Sequence, residues 1–183
     1  SGVTNELIKR AGEDVRDAMR ALFNDCIRQS RLLDTWLKGI VHPIPKTANW
    51  CGDLSQIRPI MLLETPRKLF SSILTRRLQD VLEGHNVLRG GNYGFRRGSR
   101  ATDFAHVLRA IVDDAQCAKR GLEVLLLDIR RAYDSVSWTS MRASLRRIKA
   151  PEAYVEFIGS IYQHMVATVR TAHGTTGWVH PEC

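Results

Sequence analysis

The chain has 183 residues, room for one domain or one domain and part of another, and enough to bury a core. Hydrophobic residues at 44% and charged residues at 25% are ordinary for a soluble globular protein, with no internal repeat or low-complexity linker. The 27 Lys and Arg against 19 Asp and Glu leave a net charge of +8, which points to a polyanionic partner, either nucleic acid or an acidic membrane surface.

Cys26, Cys51, Cys117 and Cys183 lie far apart, with no CxxC or Cys/His ligand spacing. Reduced thiols in an intracellular protein are therefore expected, not a disulfide framework or a zinc site. No apolar run is long enough to span a bilayer. The first residues, SGVTNELIKRAGED, have neither the order of a secretory signal nor the acid-poor character of a transit peptide. A chain that does not open on Met is expected to be processed, or a piece of something longer.

From Thr4 onward, apolar residues recur at Leu7, Ile8, Ala11, Val15, Ala18, Met19, Leu22, Phe23, Cys26 and Ile27, a helical stripe of several turns. Residues 36–46, WLKGIVHPIPK, predict a strand with prolines near an edge, and residues 57–63, IRPIMLL, its partner across a polar loop. Thr65-Pro66 opens a helix, with Leu69, Phe70, Ile73, Leu74, Leu78, Val81 and Leu82 inward and Gly84 as its stop. An irregular loop, GGNYGFRRGSR, leads to a helix from about Arg100 with Phe104, Val107, Leu108, Ile111 and Val112 inward. Residues 123–128 predict a strand. Two shorter helices follow, near residues 138–149 and 151–163, and then a hairpin of residues 167–171 and 178–179 around His173-Gly174. Irregular alternation of helices with strand pairs favours an α+β fold over a parallel doubly wound sheet.

Residues 122–138 read LEVLLLDIRRAYDSVSW. Val124 to Leu127 are all apolar, so the strand is expected to be buried on both faces, with Asp128 where it leaves the core. A carboxylate there is costly unless it meets a cation. Magnesium is one solution, since that hard ion shares carboxylate oxygens with substrate phosphates. A helix cap, or a salt bridge to Arg130 or Arg131, is the other.

This segment resembles the first catalytic motif of reverse transcriptases, and specifically of non-LTR (LINE-type) retrotransposon polymerases. The residues carrying the resemblance are Leu126-Leu127-Asp128-Ile129 and Ala132-Tyr133-Asp134-Ser135-Val136. Ile44 to Lys46 (IPK), Arg58 to Ile60 (RPI), Leu62-Leu63, Lys68 and Arg77-Leu78 are similar, in order and spacing, to the family's fingers. Gly94 to Asp103 (GFRRGSRATD) is similar to its Gly-Phe-Arg segment, and LFNDCIRQ to the region just upstream. Essentially the whole chain is covered. The resemblance implies the fingers and partial palm of a right-hand polymerase, with helices packed on short antiparallel strands. Residues 1–37 would form an N-terminal helical segment, 38–121 a fingers-like region and 122–183 the partial palm.

By that resemblance, Asp128 is the catalytic carboxylate and binds Mg²⁺ in a two-metal displacement. Ile129 presents a backbone group to the triphosphate, and the ring of Tyr133 lies under the sugar, where it selects deoxyribose. Lys46 and Arg58 reach the triphosphate, to which a point charge and a planar fork both suit. These groups are expected to converge on one half-built pocket. Asp134 pairs with a nearby arginine. Between Gly84 and Thr102 there is no acid, while Arg89, Arg96, Arg97 and Arg100 stand among Tyr93 and Phe95. That mixture suits a single-stranded template through phosphate contacts and base stacking. The plainer alternatives are a core tyrosine at 133, exposed basic residues on a hairpin, and a solvated basic loop. A second acid-free stretch, residues 135–151, spreads Arg142, Arg146, Arg147 and Lys149 over more than one helix face.

The family also uses an Asp-Asp hairpin, preceded by a Gly-x-x-Gln-Gly segment, and neither occurs in these 183 residues. Asp113-Asp114 lies in a helical pattern, where adjacent positions diverge, and reads as a solvated face. This chain alone is therefore expected not to polymerise DNA. It would work as a piece of a longer RNA-directed DNA polymerase, as an RNA-binding subunit, or as a structural component. RNA template and DNA primer are the implied partners, and a protein partner would cover the incomplete palm. The compartment is intracellular, nuclear or cytoplasmic, with an organelle left open.

Overall fold

A computed structural model of the chain describes residues 2–88, 91, 93–129, 132, 133 and 135–181. Two compact units emerge, the first made of residues 1–72 and 133–183 and the second of residues 73–132.

In the first unit, helix α1 (Asn5–Lys9) is capped by Thr4, whose hydroxyl accepts the Leu7 amide at 3.3 Å, and α2 spans Glu13–Arg28. The single long stripe expected from Thr4 is broken between them. Gly12 is extended at φ −68°, ψ 174°, and glycine's poor helix propensity lets the chain restart there.

Strand β1 (Lys38–Pro45) and strand β2 (Ile57–Leu62) form the expected antiparallel hairpin, in register from Ile40↔Leu62 to Pro45↔Ile57. Pro43 faces Pro59 across it. Because the Lys46 amide donates to the Gln56 carbonyl at 2.8 Å, ladder alternation makes Pro43–Pro59 a pair in which neither amide would bond across the hairpin. Pro59 then loses only a donor on the open side of β2, an edge strand. Pro43 lies just past Val41, where pairing on the other side of β1 stops.

Helix α3 (Thr65–Gly84) opens on Thr65-Pro66 as expected and carries the chain from the first unit into the second. The second unit adds α4 (Ala101–Cys117). Back in the first unit, α5 (Trp138–Arg147) is capped by Ser137, and α6 (Glu152–His164) follows Pro151. Strand β3 (Val166–Thr171) and strand β4 (Gly174–Thr175) turn at His173-Gly174, and Ala167 exchanges both backbone hydrogen bonds with Val179. Gly174 has φ +126°, a conformation this turn obtains cheaply only from glycine.

The sheet order is β2-β1-β3-β4. Mixed α and β structure agrees with the α+β reading, with one correction to the expected antiparallel strands: β1 and β3 run parallel, from Lys38↔Val166 to Val41↔Val169. Helix α6 leads directly into β3, and the Val166 amide enters the sheet on the Leu37 carbonyl at 2.9 Å.

The core of the first unit is aromatic. Phe70 of α3 lies 5.2 Å from Phe23 of α2, 6.0 Å from Trp36 and 6.0 Å from Phe157 of α6, centroid to centroid. Each such burial is worth roughly 1.5–3 kcal/mol, plus a smaller gain from ring geometry. Arg67, one turn before Phe70, is buried with them and donates to the Trp36 carbonyl. The second unit has far less inside. Among the described residues, ten apolar residues are buried and Ala115 alone of them belongs to it, while Phe104, Val107 and Ile111 of α4, expected inward, are exposed, as is Val81.

Residues 123–128 require the largest correction. They form no strand, and Leu125, Leu126 and Leu127 are 81–84% exposed. Apolar composition specifies a two-faced strand only if flanking strands complete its ladder. Among the described residues every strand pair lies in the first unit.

Candidate nucleic-acid interface

Two groups of the expected site residues are assembled locally, one in each unit. The first is the end of the β1–β2 hairpin. Arg58 lies opposite Ile44 in the ladder, and Lys46 follows directly after Pro45, so both cations stand at the same end. The Lys46 ammonium donates to the Ser55 carbonyl at 2.9 Å, while Arg58 is exposed and has no side-chain partner among the described residues. The connecting loop is braced by Asp53. Its carboxylate accepts the Ser55 amide at 2.8 Å and the Ser55 hydroxyl at 2.7 Å, and the Trp50 indole donates to its carbonyl at 2.7 Å. The Ser55 donors, hydroxyl before amide, hold the Asp53 carboxyl below its ordinary pKa, with a small contribution from Lys46.

The second group is the α3–α4 loop. Phe95 has φ +58°, left-handed for a residue with a large side chain, at a cost of about 1–2 kcal/mol. Gly98 at φ +76° completes the turn. Helix α3 compensates with three contacts. The Gln79 amide donates to the Phe95 carbonyl at 2.5 Å, Glu83 accepts the Arg97 amide at 3.0 Å, and the Arg97 guanidinium pairs with Asp80 at 2.8 Å. At the start of α4, Asp103 accepts the Arg100 amide at 2.7 Å and donates its own amide to the Arg100 carbonyl at 3.0 Å. Tyr93 and Phe104 meet at 5.9 Å, beside a cavity of about 520 Å³ that Phe95 and Ser99 also line.

Of the expected template residues, Tyr93, Phe95, Arg96, Arg97 and Arg100 thus share one loop, but their side chains differ in availability. Arg97 is engaged by Asp80, whereas Arg96 and Arg100 have no side-chain acceptor among the described residues. Arg89, also expected here, lies outside the described residues, as do Arg130, Arg131 and Asp134. Sequence reasoning missed Gln79, Asp80 and Glu83, the groups that hold the loop. The signal was available, since three polar residues within about one helical turn stand just before the acid-free stretch.

Asp128 and Ile129 belong to the second unit and lie exposed in a segment without regular secondary structure, while Tyr133, 83% exposed, opens the returning part of the first. Among the described residues no three His, Cys, Asp or Glu side chains come together as metal ligands. Asp128 by itself is too few oxygens for magnesium, so the described residues alone do not make a site for that ion. The expected solvated face of Asp113-Asp114 is occupied by exposed ion pairs, to Arg109 at 2.9 Å and to Arg120 at 2.5 Å. In the second acid-free stretch, Arg142 and Arg146 of α5 are both engaged by α6, Arg142 with Glu156 at 3.0 Å and Arg146 with Glu152. A larger cavity of about 700 Å³ in the first unit is lined by Arg31, Lys38 and His164, but each is already committed. Arg31 pairs with Asp34 at 2.8 Å, Lys38 lies 5.5 Å from the Trp178 ring, and His164 Nδ1 hydrogen-bonds the Ser160 carbonyl. No described helix is long and apolar enough to cross a membrane.

No protein-family profile matches the chain. Over 171 residues, 93% of its length, the chain is 23% identical to a retrovirus-related Pol polyprotein from the type-1 retrotransposable element R2 of Nasonia vitripennis. It is 25% identical over 69% of its length to a probable RNA-directed DNA polymerase from the transposon X-element of Drosophila melanogaster. An R2 Pol polyprotein of Popillia japonica is 27% identical over 68%. The chain spans only 16%, 14% and 17% of these three proteins. The chain is similar, at low identity, to proteins named as retrotransposon polymerases and Pol polyproteins. Within that class, its matches are to non-LTR elements, with transposon BS alongside R2 and the X-element.

Proposed function

We propose that this chain is the fingers and first-palm portion of an RNA-directed DNA polymerase of a non-LTR retroelement, divided at residues 1–37, 38–121 and 122–183, and acting inside the cell. Lys46 and Arg58 take the incoming triphosphate, Tyr133 lies under its sugar and Ile129 offers a backbone group to it. Asp128 supplies one ligand of a divalent-ion site whose remaining carboxylates the described residues do not supply. Tyr93, Phe95, Arg96 and Arg100 contact the template, and Arg97 fixes their loop. The observation that carries the reading is the alignment of 93% of the chain with an R2 polyprotein. The shared hairpin end of Lys46 and Arg58 supports it.

A second reading makes the chain an RNA-binding component of a larger assembly. It is favoured by the exposed run of Leu125 to Leu127, apolar surface that further polypeptide would cover. One experiment separates the two. The 183-residue chain is mixed with an RNA template, an annealed DNA primer, deoxynucleotides and Mg²⁺, and both retention of nucleic acid and primer extension are measured. Both readings expect retention that falls steeply with salt. Neither expects extension by this chain alone. A longer polypeptide that continues through the relatives' polymerase region should extend the primer and lose extension on Asp128→Ala. Extension that survives that substitution removes the catalytic assignment, and the absence of any retention removes both readings.

A further inference from the structure

The α3–α4 loop presents an apolar ring to solvent in a backbone conformation that phenylalanine resists. Phe95 is 82% exposed at φ +58°. Relaxation of the loop to ordinary backbone angles would remove the strain and let the ring cover itself. Helix α3 prevents that. Gln79 grips the Phe95 carbonyl and Glu83 grips the Arg97 amide from one helical turn apart, and Asp80 takes the Arg97 guanidinium. The residues between these anchors are free to face outward. The ring stands beside the cavity where Tyr93 meets Phe104, with Arg96 and Arg100 uncommitted among the described residues.

We propose that Gln79 and Glu83 are positioning residues that hold Phe95 as a preformed stacking platform for an unpaired base of single-stranded RNA, with Arg96 and Arg100 on the flanking phosphates. The proposal rests on the nucleic-acid reading above and adds to it which groups order the platform. Charge decides the occupant. Between Gly84 and Thr102 the chain carries no acid and the protein's net charge is +8, so the loop suits a polyanion with aromatic faces better than a protein surface. Holding the ring in place beforehand spares the complex the entropy of ordering it.

The test uses the 183-residue chain, a fluorescein-labelled oligouridylate and two readouts. Anisotropy titrations over a range of salt give affinity and its salt slope. Trypsin cleavage after Arg96 and Arg97, followed by mass spectrometry, reports whether the loop is held, with no nucleic acid present. Phe95→Ala should weaken binding by about tenfold or more, and Phe95→Tyr should retain it. Gln79→Met, similar in shape but lacking the donor, should speed cleavage and weaken binding several-fold with the salt slope unchanged. Arg96→Ala should instead flatten the slope, by roughly the 0.7 expected for one phosphate of a single strand. Tight binding by the wild type that Phe95→Ala leaves intact overturns the platform and spares the nucleic-acid reading. Cleavage unaffected by Gln79→Met overturns the positioning role. A held loop on a chain that binds no RNA overturns the platform and the reading together.

Discussion

Gly159, in the middle of α6, lies directly against Trp138. A Cβ at 159 would fall 2.4 Å from Trp138 Cζ2, 3.0 Å from Cε2 and 3.2 Å from Cη2. The indole has little freedom to yield. It opens α5, stacks on Tyr162 at 5.9 Å and 20°, and carries the Arg142 guanidinium 5.4 Å from its ring. Arg142 is in turn tied to Glu156 at 3.0 Å. Gly159→Ala should gain about 1 kcal/mol from helix propensity and lose roughly 1–3 kcal/mol to overpacking, a net destabilisation of about 1 kcal/mol. For a chain of this length that lowers the melting temperature by about 2–4 °C. With Trp138→Leu, which lacks the fused ring holding Cζ2 and Cη2, the same change should become stabilising. Urea unfolding followed by far-ultraviolet circular dichroism, at low temperature for the double variant, measures all four corners of the cycle. If Gly159→Ala stabilises both backgrounds equally, the ring swings aside at no cost and the packing argument is wrong.

Burial raises the Cys26 thiol above its ordinary pKa, so iodoacetamide followed by mass spectrometry should find the exposed Cys51 and Cys117 modified in the native chain and Cys26 only on unfolding. The Ser55 donors lower the Asp53 carboxyl and the Arg146 guanidinium lowers that of Glu152. Depressed carboxylates stabilise the fold above their ordinary pKa, near 4, and that contribution is lost as pH falls through the lower folded values. The urea midpoint should drop there, and Asp53→Asn should lessen the pH dependence; a flat midpoint refutes it. Arg67 is buried without a carboxylate among the described residues, so Arg67→Met, which keeps the volume, should retain about 1–2 kcal/mol more stability than Arg67→Ala. Hydrogen exchange should be slowest in α2, α6 and β3, around the aromatic core, and fast in α4 and residues 120–129, where almost nothing is buried; equal protection would contradict that division.

Local chemistry was legible in the sequence wherever a short-range rule decides the outcome. Thr65-Pro66 opens α3, Pro151 precedes α6, and Pro59 lies in β2, an edge strand, whereas β1, whose prolines pointed the same way, pairs on both sides. The parallel pairing of β1 with β3 was not legible, because it joins residues more than 120 positions apart and leaves no mark at short range. Residues 123–128 failed for the opposite reason. Val124 to Leu127 satisfy the local pattern of a buried strand, but a strand is a property of its neighbours, and none of the described strands pairs with this one. Helix α4 shows the same limit, since Phe104, Val107 and Ile111 stay exposed, with only Tyr93 among the described aromatic rings meeting Phe104.

The candidate site was legible as composition and not as commitment. The sequence placed four arginines and two aromatics on one loop, but a count of arginines is not a count of free cations. Arg97 is taken by Asp80, only three residues from the edge of the acid-free stretch. The ion pair is about half exposed and contributes little to stability, yet it settles which guanidiniums a phosphate can reach. The same sorting separates Arg58, which has no side-chain partner among the described residues, from Arg142 and Arg146, which brace α5 on α6. On the nucleic-acid reading proposed above, basic charge in this chain would serve two purposes, with the acids of α3 and α6 engaging Arg97, Arg142 and Arg146 and leaving the other arginines for phosphates. An arginine scan read by salt slope should divide along that line, with Arg58, Arg96 and Arg100 flattening it and Arg142 and Arg146 changing stability instead. A scan in which all five flatten the slope alike would mean that the native ion pairs open freely and select nothing.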